Sequence, residues 1–164
     1  MNFIKYKKSD LYDRVVDEYD IFENSYDFMV FLAALGYRED EVDREGFEGS
    51  DDDGTRGQIG VDNFFANDLY RVVATSIAFQ DTGEHKALVD VELQAEKLTQ
   101  YAAGGLRVAE REFGTTAGDP TDAMVNYVQN LDESPGGGYQ GTLGDIVQSF
   151  NDELLEGEAE DKSP

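Results

Sequence analysis

The 164-residue sequence contains no cysteine, no tryptophan, a single histidine and three prolines. Without cysteine there are no disulfides, thiolate nucleophiles, zinc-thiolate centres or iron-sulfur clusters, so stability must come from packing alone. The lone His85, between Glu84 and Lys86, has no second histidine or cysteine with which to build a metal site or a catalytic triad, and reads as a surface residue. No apolar run approaches the roughly 18 residues of a membrane span, and none follows the early lysines as a targeting signal requires, which points to the cytoplasm. Positive charge is scarce too: 13 Lys and Arg stand against 36 Asp and Glu, a net charge of -23.

What remains is foldable. The composition is 40% hydrophobic and 12% aromatic, unlike a disordered acidic tail. A chain of this length is one domain by size and buries about 70% of its extended-chain surface. So large a charge repels itself in dilute buffer, but at about 1 M salt the Debye length falls to about 3 Å and most of that penalty disappears. The acids decorate nearly every expected helix, Asp outnumbers Glu and lysines number six. This is the pattern of a halophilic prokaryote's cytosolic protein. A nucleic-acid mimic would gather its acids on one face.

Apolar spacing predicts an all-α fold: a compact single domain of five or six helices, with no convincing strand alternation. Ser9 and Asp10 cap a short first helix carrying Leu11, Val15 and Tyr19. Ser25 caps a second, apolar almost all round from Tyr26 to Leu35 and closed by Gly36, which should be central. Residues 38–53 hold nine acids and two arginines, so 38–60 is expected to be a mobile acidic loop. A third helix runs from Asp62 to Gln80 and ends at Gly83. A fourth runs from about Leu88 to Phe113, interrupted by Gly104 and Gly105. Asp119 and Pro120 start a fifth. A Gly-rich turn at 136–141 then leads to a last helix from Thr142 to Leu154. The domain spans 1–155, and 156–164 form a disordered acidic tail.

Several motifs fail as chemistry. Asp51-Asp52-Asp53-Gly54 suggests a calcium loop, but with Gly54 at the sixth position Gly60 stands where a bidentate glutamate is required. Pro135-Gly136-Gly137-Gly138-Tyr139-Gln140-Gly141-Thr142 lacks the lysine and the preceding strand of a phosphate loop. Pairs such as Glu92 with Glu96 and Asp13 with Asp17 arise by chance among 36 acids. No catalytic, metal or cofactor residues emerge, and no enzyme is expected. Two places remain for a partner. Lys5, Lys7, Lys8 and Arg14 form the one locally positive stretch. Tyr101-Ala102-Ala103-Gly104-Gly105-Leu106 places two glycines inside a helix at about 1 kcal/mol each, a cost that close packing of another helix or of a partner's backbone would offset.

That segment, with Phe31-Leu32-Ala33-Ala34-Leu35-Gly36-Tyr37 and the basic lead, resembles the small accessory proteins encoded beside DNA phosphorothioation (Dnd-type) systems. The two stretches amount to 13 residues within a context of about 5–113. The acidic insertion at 38–53 and the Gly-rich connector at 136–141 depart from the family pattern, both as surface loops. The resemblance implies association with sulfur modification of the DNA backbone, or with the defence machinery that reads the mark, and carries no catalytic residues with it. The expected function is therefore a non-catalytic accessory or adaptor protein whose partners are other proteins of that system. Tyr101, Gly104, Gly105 and the basic lead would form its contacts, with no membrane and no direct nucleic-acid binding. The alternative is a small helix-turn-helix-like DNA-binding regulator. Its recognition helix would have only Asn63, Asn67 and Arg71 to offer, beside Asp62 and Asp68.

Overall fold

A computed structural model describes residues 1–133, the side chains of Asp132 and Glu133 excepted. The Gly-rich turn, the last helix and the acidic tail read from the sequence lie outside the described residues. The chain divides into two units, Met1–Met124 and Val125–Pro164. Of the second, residues 125–133 are described and are helical.

The described residues are mostly helical, with one correction to the all-α expectation: a two-stranded antiparallel sheet pairs β1 (Phe3–Lys7) with β2 (Arg56–Gly60). Ile4 and Tyr6 alternate with Lys5 and Lys7, so one face is buried and the other faces water. Tyr6 lies opposite Gly57, where a Cβ would come within 2.3 Å of the Tyr6 ring. The glycine thus makes room for the tyrosine.

After β1, Ser9 caps α1 (Asp10–Asp13), which loosens into a π-helical turn over Arg14–Glu18. The central helix is α2 (Ser25–Arg38). Its cap is Asn24, whose side chain accepts from the N–H groups of Tyr26 and Asp27. It runs through Gly36 instead of ending there. The third expected helix is two: α3 (Val61–Phe65), then α4 (Asp68–Thr82), because Asn67 at the break accepts from the Tyr70 N–H and starts a new helix. Gly83, at φ 69°, ends α4 in the left-handed region that favours glycine. A 3-10 turn over His85–Leu88 leads to α5 (Val91–Glu112), continuous through Gly104 and Gly105. α6 (Thr121–Glu133) follows Pro120, with Asp119 accepting from the Thr121 N–H.

Leu32 meets Gly105, and Gly36 meets Tyr101, so α2 and α5 run antiparallel at close range. Tyr70 donates to Asp27 and Tyr37 pairs with Gln80, which sets α4 parallel to α2. Arg14 reaches the far end of α5 and donates to the carbonyls of Gly114, Thr116 and Gly118 at 2.8–3.0 Å, satisfying oxygens beyond the helix end.

Tyr12 is packed edge-on against Phe28 at 4.8 Å, and its hydroxyl is buried with no hydrogen-bond partner. An orphaned buried donor costs about 1–3 kcal/mol. Tyr12→Phe is therefore expected to leave stability unchanged or raise it by about 1 kcal/mol in urea unfolding. A loss of similar size would mean that the hydroxyl is bonded in solution.

Candidate functional site

The segment singled out in α5 points inward. A Cβ on Gly105 would stand 1.8 Å from the Leu32 carbonyl oxygen, and one on Gly104 would stand 2.0 Å from that of Glu41. Two backbone segments of the same chain occupy the space that the missing side chains leave. Tyr101 is buried, and its ring meets Tyr37 edge-on at 5.7 Å. α2 and the segment after it fill the space beside Gly104 and Gly105, so of the two readings of this segment the close packing within the chain is the one seen.

Residues 39–55, the acidic part of the expected loop, lie across α5 as a strap with many anchors. The Asp43 N–H donates to the Gln100 carbonyl at 3.1 Å, Arg107 donates to the Val42 carbonyl at 3.0 Å, and Arg56 holds the carbonyls of Glu48 and Gly49. The strongest anchor is electrostatic. Arg44 donates through both terminal nitrogens to Asp81, at 3.1 and 2.7 Å, and also to Gln100 at 2.8 Å. The Tyr101 hydroxyl adds a bond of 2.7 Å to Asp81, and Lys97 Nζ lies 3.3 Å from it.

The Asp81 side chain is only 7% exposed. The Arg44 hydrogen bonds foremost, then Tyr101 and Lys97, outweigh its desolvation and hold its pKa down to about 2. Burial, with Asp81 beside it, pushes Tyr101 up to about 12, so its hydroxyl stays a donor at ordinary pH. The cluster is a closed knot of opposite charges whose donors all turn towards one carboxylate. Its chemistry is attachment. Sequence spacing gives no sign of it, because Arg44 and Asp81 are 37 residues apart and one acid among 36 carries no mark of burial.

The basic lead faces outward. Lys5 and Lys7 share the open side of β1, facing Gln58 and Arg56 across the pair, and Lys8 follows half-buried. Arg14 does not join them, since its terminal nitrogens are committed to the end of α5. Lys7 lies near Asp43, whose carboxyl is held below its usual range first by the Gly46 N–H and further by Arg107 and Lys7.

Several of the remaining candidates have internal partners. Asp51 pairs with Arg56 at 2.8 Å, Asp53 accepts from Thr55, and His85 stacks on Phe79 at 6.1 Å. Glu96 accepts from Gln100, Asn67 caps α4 and Arg71 pairs with Asp68. The last two leave little for reading bases.

No curated protein and no solved structure matches the chain. The family model described as DNA sulphur modification system-associated protein 4 matches residues 5–137, from the middle of β1 past the end of α6. With a match over most of its length, the chain belongs to that DNA sulphur modification system-associated family.

Proposed function

We propose that this is a non-catalytic accessory protein of a DNA sulphur modification system, working by contact with another protein of that system in the cytoplasm of a salt-loving prokaryote. The observation that carries the proposal is the family match over 5–137. Two structural features support contact over chemistry. Among the described residues the most strongly shifted carboxylate, Asp81, is enclosed by its own donors. Lys5 and Lys7 stand on the open side of the β-ribbon, with Lys8 following half-buried, on a strongly anionic chain. Carboxylates dispersed along the helices suit concentrated electrolyte, where their repulsion is screened.

Calorimetric titration in 1 M KCl tests the proposal. The protein is titrated with each purified protein of the system and, separately, with duplex DNA with and without phosphorothioate linkages. Binding to one of the proteins is expected, with no saturable binding to either duplex. The variant combining Lys5→Glu, Lys7→Glu and Lys8→Glu is expected to bind that protein at least tenfold more weakly, with circular dichroism checking that it folds. Sequence-selective duplex binding by the protein alone would favour a regulator instead.

A further inference from the structure

The outer edge of β2 carries unfinished hydrogen bonding. Just beyond the ends of the ribbon the Val61 N–H donates to the Asn2 carbonyl and the Lys8 N–H to that of Thr55. In an antiparallel pair, residues that exchange bonds alternate with residues that do not. Ile4 and Tyr6 therefore bond across to Ile59 and Gly57, while the main-chain groups of Arg56 and Gln58, and the N–H of Gly60, point away from β1. Among the described residues nothing bonds to them. Gln58 is exposed, and β2 packs chiefly on β1 and α3. An open strand edge is a template for another strand.

The two edges of the ribbon differ. β1 carries Lys5 and Lys7, and side chains of one charge keep a strand from pairing with its own copy. β2 lacks that protection. The Arg56 side chain is turned to Asp51 and to the carbonyls of Glu48 and Gly49, Gly57 and Gly60 have no side chain, and Gln58 is neutral. A two-fold axis at Gln58 would set it against Gln58 of the copy, where each amide can donate and accept, and would set Arg56 against Gly60, so that no like charges face each other across the pair. Two bonds would join the Gln58 residues, and one at each end would run from the Gly60 N–H to the Arg56 carbonyl. This edge has no charged or apolar side chain free to select a foreign sequence. The β2 of a second molecule, in contrast, is already extended and held by its own β1, so it meets no ordering cost.

We infer that β2 is a self-pairing edge, through which two copies of the chain join their ribbons into one four-stranded antiparallel sheet in the order β1-β2-β2-β1. Strand addition draws its affinity from main-chain hydrogen bonds, so the dimer needs no broad apolar interface. Two chains of net charge -23 repel, and Gly54 comes level with Asp62 of the copy beyond each end of the pairing. The dimer is therefore expected to form in concentrated salt and to weaken as salt is removed. Lys5 and Lys7 stay open at both outer edges of the sheet. The inference goes beyond the accessory reading and does not depend on it.

The test follows wild type, Gln58→Pro, Gln58→Cys and Lys5→Cys by velocity sedimentation over a dilution series, in 1 M KCl and in dilute buffer. Gln58→Pro removes an N–H that points away from β1, so the ribbon should keep its own pairing, and circular dichroism checks this. The chain has no cysteine of its own, and the Cα atoms of a bonded antiparallel pair stand about 5.5 Å apart, within reach of a disulfide. Wild type is expected to dimerise in 1 M KCl and Gln58→Pro to stay monomeric. On oxidation Gln58→Cys is expected to cross-link two copies at least tenfold faster than Lys5→Cys. If Gln58→Pro does not fold, the two cysteine variants decide alone. A wild type that is monomeric at every concentration and salt overturns the inference, as does equal cross-linking of the two cysteine variants. A monomeric wild type that binds a protein of the modification system, with that binding lost in Gln58→Pro, would make a foreign strand the occupant and overturn it too.

Discussion

Gly105→Ala is expected to destabilise the protein by about 3–5 kcal/mol, enough to consume much of the roughly 5–15 kcal/mol by which a domain is stable. In an open helix the same change adds about 1 kcal/mol of stability, because alanine is the better helix former. Here the sign reverses. The new methyl would meet the Leu32 carbonyl at 1.8 Å, and the obstacle is the backbone of another helix, which cannot rotate aside as a side chain can. α2 must move away from α5, loosening the contact of Gly36 with Tyr101 as well. Gly60→Ala is the control, since its nearest neighbour is the Asn63 side chain at an ordinary 3.5 Å, and it should change stability by less than about 1 kcal/mol. Urea unfolding monitored by circular dichroism measures both. If Gly105→Ala is neutral, the two helices are not in contact at that point.

Asp81→Asn is expected to lower stability at neutral pH by about 2–3 kcal/mol, or roughly 5–10 °C in the unfolding midpoint for a chain of this size. The amide keeps the shape but leaves Arg44 and Lys97 without their counter-charge. The pH dependence identifies the cause. The Asp81 carboxyl falls from 3.8 to about 2 on folding, so its contribution of about 2 kcal/mol is complete above about pH 4 and is lost as pH falls from about 4 towards 2. The gap between wild type and Asp81→Asn should therefore close over that interval. Other carboxylates with lowered pKa, such as Asp43, are common to both proteins and cancel in the difference. A gap that persists unchanged at pH 2 would assign the effect to packing instead of charge.

Both predictions concern features that the sequence announced only partly. The α2 segment from Tyr26 to Leu35 was legible because it is apolar almost all round, and only a central helix can be. The glycine pair was legible as an anomaly. Its direction was not, since a helix face that admits close approach looks the same whether its own chain or another supplies the neighbour. β1 carried the alternation of Ile4 and Tyr6 with Lys5 and Lys7, but exposed Phe3 masks it, and its partner Arg-Gly-Gln-Ile-Gly has no strand character until Gly57 is seen beneath Tyr6. The break at Asn67 hid inside a continuous apolar stripe. The strap from 39 to 55 is the clearest case, because acidic composition describes its outer surface, while Arg44, Asp43 and the Glu41 carbonyl tie it inward. Long-range polar contacts have no period, and nothing in a single sequence reveals them.

The central claim is that the Tyr101–Leu106 segment and the Asp81 knot hold the fold together from within, leaving recruitment to the outside of the molecule. Amide hydrogen exchange at Gly104 and Gly105 in the free protein tests it most directly. The expected result is exchange among the slowest in the chain, unaltered when a protein of the modification system is bound. Rapid exchange in the free protein that slows on binding would contradict the claim, since it would place the partner where α2 and the strap are seen.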